Sequence, residues 1–73
     1  MMTDITVFPM RNLPDGSAEI AEHPFFPEFW DVSVQAEDGD LLDEAVDLAT
    51  TEEAEAAVDA FLLKYPEANV SYA

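Results

Sequence analysis

Seventy-three residues carry seventeen Asp and Glu against one Arg and one Lys, a formal net charge of −15. That sign excludes a basic patch for direct nucleic-acid binding and sets the chain against anionic membrane surfaces. The absence of cysteine excludes a disulfide, a thiolate nucleophile and a zinc–thiolate site. With 49% hydrophobic and 11% aromatic residues the chain is not a disordered acidic tail, and its length fits one small domain, 1–73.

The opening "MMTDITVF" has neither a basic region nor a long apolar run, so no signal peptide or membrane span is expected and the cytoplasm is the expected location. A first strand is predicted at about 4–10, with Ile5 and Val7 on one face. "NLPDGS" supplies Pro14 and the Asp15-Gly16 turn dipeptide. A second strand follows at about 17–22, with Ala18 and Ile20 inward, and the two strands read as a hairpin.

"HPFFPEFW" is irregular, because Pro24 and Pro27 block ladder hydrogen bonds. Its aromatics, Phe25, Phe26, Phe29 and Trp30, are expected to cover the open end of a small core. The alternative is an exposed apolar anchor formed by Phe25, Phe26 and Phe29. His23 reads as a loop residue packing on these rings rather than as a base.

Strict alternation then predicts a strand at about 30–37, with Trp30, Val32, Val34 and Ala36 opposed to Asp31, Ser33, Gln35 and Glu37. Asp38-Gly39 is a favoured hairpin turn. A fourth strand at about 42–49 is expected to turn Leu42, Val46 and Leu48 inward and Asp43, Ala45 and Asp47 outward, although Glu44 interrupts the alternation. A helix is predicted at about 51–65. Thr50 and Glu53 fit a capping box, and Glu52 and Glu53 occupy the first turn, where the helix dipole favours anions. Ala54, Ala57, Val58, Phe61, Leu62 and Tyr65 recur at helical spacing, Lys64 lies near the end and Pro66 stops the helix. "NVSYA" has the composition of a short final strand. The fold class expected is α+β, a small antiparallel sheet of three to four strands with one amphipathic helix on one face.

The segment "AEDGDLLDEAVD" holds Glu37, Asp38, Asp40, Asp43, Glu44 and Asp47. An EF-hand loop starting at Asp38 would place Leu42 at its fifth position, Asp43 where glycine belongs and Ala49 where glutamate belongs, so no specific metal site is expected. Catalysis by paired carboxylates needs environments that drive their pKa values apart, and so short a chain has little room for such a cleft. With only Gly16 and Gly39, no glycine-rich phosphate loop is possible. The chain reads as a non-enzyme without a cofactor.

Geometry favours imitation of a polyanion. Outward residues at i and i+2 on a strand lie about 6.6 Å apart, at a rise of about 3.3 Å per residue, close to the separation of successive phosphates on one nucleic-acid strand. Asp43 and Asp47 would then lie about 13 Å apart. Glu52, Glu55 and Asp59 form one helical stripe, with Glu55 and Asp59 about 6 Å apart in rise. An ordinary soluble domain mixes signs on its surface. A nearly uniform negative surface steers toward a basic groove instead.

A tiny, acidic, cysteine-free chain of sheet plus one helix resembles the small phage-encoded inhibitors, especially the DNA-mimicking anti-CRISPR proteins, in size, charge and organisation. The resemblance implies a cytoplasmic inhibitor in the bacterial host that binds a basic DNA-binding surface of a CRISPR effector. The subunit of a type I surveillance complex that reads the motif flanking the target would be the partner. Two other readings stand beside it. One is a halophilic domain whose acidic surface serves hydration in concentrated salt. The other is an assembly protein that pairs through a sheet edge. The contact residues expected for an inhibitor are the carboxylates Glu37, Asp38, Asp40, Asp43, Glu44, Asp47, Glu52, Glu55 and Asp59.

Overall fold

The computed structural model describes residues 2–73. Five strands and one helix follow in the order β1 (Thr3–Asn12), β2 (Ala18–Ile20), β3 (Phe29–Ala36), β4 (Leu41–Leu48), α1 (Thr51–Lys64) and β5 (Asn69–Tyr72). The class is α+β, a mainly antiparallel sheet with a single helix packed on one face.

The ten-residue β1 organises the sheet. Along one edge it pairs antiparallel with β3, from Thr3↔Ala36 to Met10↔Phe29. Its other edge is shared: β2 takes the far end (Met10↔Ile20 to Asn12↔Ala18), and β5 takes the near end in parallel (Asp4↔Asn69 to Val7↔Tyr72). A parallel partner cannot be reached by a tight turn. The connection is α1, which leaves β4, crosses over the sheet and delivers the chain beyond β1.

Both tight turns use glycine at positive φ, Gly16 at 91° and Gly39 at 93°. Asp15 and Asp38 close these turns by accepting backbone N–H bonds from Ser17 and Asp40, each at 3.0 Å. The helix start is the expected capping box. Glu53 N–H donates to Thr50 Oγ1 at 3.1 Å, and Glu53 Oε2 accepts from the N–H groups of Ala49 and Thr50.

The registers place Ile5, Val7, Val32 and Val34 on one sheet face, where they meet Ala54 and Val58 of α1 to form the buried core. Trp30, Leu48, Phe61, Leu62 and Tyr65 pack around it. Thr6, Phe8, Asp31, Ser33 and Glu44 fall on the opposite face, which no second layer covers among the described residues.

Two strand readings are corrected here. β2 is short and wholly exposed, so Ala18 and Ile20 do not point into a core: α1 does not reach over this corner of the sheet. In β4 the inward set is Asp43, Ala45 and Leu48, while Leu42 and Val46 are 44% and 51% exposed. Asp43 pairs with Val34 and Ala45 with Val32, which puts both on the helix side. Register shifts flank this stretch, and Asp47, at φ 56°, adds the residue that returns Leu48 to the core side.

Candidate partner-binding surface

No charged side chain is buried among the described residues. Both cations of the sequence are engaged. Arg11 holds Glu19 across the β1–β2 ladder through Nε at 2.8 Å and a second contact from Nη2. Its guanidinium also lies 3.8 Å from the centroid of the Phe25 ring. Lys64 Nζ donates to Asp43 Oδ2 at 2.9 Å, linking the end of α1 to the β4 edge. That bond, ahead of the charge attraction itself, raises the pKa of Lys64, and it lowers the pKa of Asp43. The remaining carboxylates have no cationic side-chain partner among the described residues.

The expected contact residues separate into groups. Glu37, Asp38 and Asp40 crowd the exposed tip of the β3–β4 hairpin. Glu44 stands on the open sheet face beside Ser33. Glu52, Glu55 and Asp59 are all exposed on α1. Glu55 lies on the flank toward β5, where it borders one pocket with Tyr72, and Glu52 and Asp59 lie one turn to either side of it, whereas Lys64 occupies the opposite flank toward β4. The open face and the helix are opposite layers of the molecule, so a single flat partner cannot engage Glu44 and the helical row together.

Asp43 and Asp47 do not form the outward row expected of them. Asp43 turns toward the helix because its register follows Val34, and its carboxylate is committed to Lys64. Asp47 sits at the irregularity, where its N–H donates to Asp31 Oδ1 at 3.1 Å. The about 13 Å spacing therefore does not arise, since it assumed a regular strand. Charge counting in sequence does not reveal this; the one available signal was a lone lysine at the end of a helix that follows the acidic strand.

The aromatic segment divides: Trp30 packs against the core as expected, but Phe25 and Phe26 do not cover it. Phe26 is 87% exposed and Phe25 is exposed under its arginine, whereas Phe29 is half-buried. Phe25 and Phe26 thus lie at the surface, outside the core. His23 is exposed and borders a depression with Glu19, Ile20, Glu22 and Phe25.

Among the described residues no three His, Asp or Glu side chains converge in a way that could hold a metal ion, and no helix is long and apolar enough to cross a membrane. The structure adds a feature that the sequence does not show, an apolar pocket of about 170 Å³ between α1, β1 and β5. No family model matches the chain, and neither the curated proteins nor the solved structures yield a match.

Proposed function

We propose that this chain is a non-enzymatic inhibitor that occupies the basic nucleic-acid-binding surface of another protein, with a CRISPR effector of the type I surveillance class as the target. The observation that carries the reading is the charge arrangement. Each cation is tied to a carboxylate of its own chain, and the other acids are left at the surface facing water. Such a field attracts Arg and Lys grooves and repels nucleic acid.

The parts divide the work. The helical row Glu52, Glu55 and Asp59 stands on a capped helix packed on the core, so the backbone that carries it is held in place before binding and only its side chains remain to be ordered. The hairpin tip, Glu37, Asp38 and Asp40, concentrates charge and steers the approach. Phe26 supplies an apolar contact of the kind that dominates interface energies.

The test uses a purified type I surveillance complex and a labelled target duplex. Wild-type protein should block duplex binding. Reversal of Glu52, Glu55 and Asp59 to lysine should abolish the block, while reversal of Glu37, Asp38 and Asp40 should mainly slow association. Full inhibition by the helix variant would sink the assignment of contacts, and no inhibition by the wild type would sink the function.

A further inference from the structure

The pocket between α1 and the β1–β5 edge has a definite chemistry. Val7, Pro9 and Val58 form apolar walls, Trp30 and Tyr72 add aromatic surface, and Glu55 supplies the one side-chain carboxylate of the described lining, which Ala73 completes. Glu55 is exposed, and Glu52 and Asp59 lie one helical turn before and after it. No cation of the described chain is committed there, because Arg11 and Lys64 are engaged elsewhere.

We infer that this pocket receives the side chain of a lysine, its methylenes against the Trp30 and Tyr72 side and its ammonium at Glu55. The source is the basic surface of the partner, and in that respect the inference rests on the function proposed above. Size is consistent with it: a cavity of about 150 Å³ accepts a benzene-sized guest, and this one is about 170 Å³. A lysine side chain beyond its Cα is no larger. The stem buries apolar surface while the charged head stays at the wet rim, the partition that long basic side chains favour. Aromatic rings beside an ammonium add attraction through their negative faces. An uncharged apolar guest would leave the Glu55 carboxylate without use. An arginine would carry its planar fork of donors into walls with few acceptors. The positive end of the helix dipole lies near and opposes a cation, but Thr50 and Glu53 already satisfy groups of that terminus and Glu52 lies beside it.

Trp30 is the sole tryptophan, so tryptophan emission comes from one side chain, and that side chain lines this pocket. The intact chain is titrated with n-butylammonium chloride, n-butanol and n-propylguanidinium chloride, with sodium chloride as the ionic-strength control. Butylammonium should shift Trp30 emission with a millimolar midpoint, within reach of so few heavy atoms. Butanol should bind at least about fivefold more weakly, and Glu55→Gln should remove the difference. Glu55 is exposed, so the variant keeps its fold, which circular dichroism checks. No response to butylammonium beyond sodium chloride, an equal response to butanol, or an unchanged preference in Glu55→Gln overturns the inference. Tighter propylguanidinium overturns the choice of lysine. The titration needs no partner, so its outcome is separate from that of the inhibition assay. With the surveillance complex, Glu55→Gln should weaken binding more than Asp59→Asn, and equal effects overturn the assignment of the lysine to that partner.

Discussion

Val32→Ala and Val46→Ala remove the same atoms from neighbouring strands, and the structure predicts opposite outcomes. Val32 is 0% exposed and packs within the core of Ile5, Val7, Val34, Ala54 and Val58. Its truncation deletes two buried carbon groups at about 0.8 kcal/mol each. The remaining cavity adds a further term, for a total of about 2–3 kcal/mol. In so short a domain each kcal/mol moves the thermal midpoint by about 4–8 °C, so a fall of about 10–20 °C follows. Val46 is 51% exposed on the sheet face away from the helix, so its truncation should cost no more than about 0.5–0.8 kcal/mol. Urea melts at constant m-value, with thermal melts beside them, measure both. A loss at Val46 equal to that at Val32 would refute the β4 register. It would return Asp43 and Asp47 to the outward row that simple alternation suggests, and the acidic surface would need redrawing.

Further consequences concern charge and the exposed loop. The Asp43 carboxyl should titrate below its ordinary value of 3.8 by NMR and move back toward it in Lys64→Gln. Because the folded pKa is depressed, the stabilising contribution of Asp43 is present above 3.8 and lost as pH falls through the lower folded value; an unshifted Asp43 removes the ion pair. Lys64 is raised above 10.5, so its contribution is present below that pH and lost as pH climbs through the higher folded value. Added salt from about 0.01 to 1 M shortens the screening length from about 30 to 3 Å, from a span comparable with the 39 × 25 × 20 Å molecule to contact range, and should raise the thermal midpoint. The chain should nevertheless be folded at about 0.15 M salt, and unfolding there would favour the halophilic reading. Phe26→Ala should leave stability within about 0.5 kcal/mol while weakening partner binding about tenfold. Undiminished binding would remove the loop from the interface.

Much of the architecture was legible because local signals agree. Alternation around Val32 and Val34, the two Asp-Gly turns, and the Thr50–Glu53 box with the stripe from Ala54 to Tyr65 mark their elements without tertiary information. Failures came where tertiary geometry overrides pattern. Leu42 and Val46 look like a core face, but the irregularity at Asp47 shifts the phase, and β4 needs only Ala45 and Leu48 to meet the helix. Ala18 and Ile20 alternate as a core strand should, yet they lie beside the end of β1 that α1 does not cover. For the surface, the exposure of Glu52, Glu55 and Asp59 follows from helical spacing. The withdrawal of Asp43 depends on an ion pair spanning twenty-one positions, and the Trp30–Tyr72 pocket on β5 reaching β1 in parallel. The first leaves only the lone lysine at the helix end as a mark, and the second leaves none.

The central claim is that an uncompensated acidic surface stands in for nucleic acid on a basic protein site. Its most direct test is affinity capture with the immobilised chain from a bacterial lysate containing CRISPR effectors, at about 0.15 M salt and again near 1 M, with duplex DNA as competitor. The account predicts retention of a type I surveillance complex at the lower salt, loss at the higher salt, and displacement by the duplex. Failure to retain any such effector, or retention indifferent to both salt and duplex DNA, would contradict it.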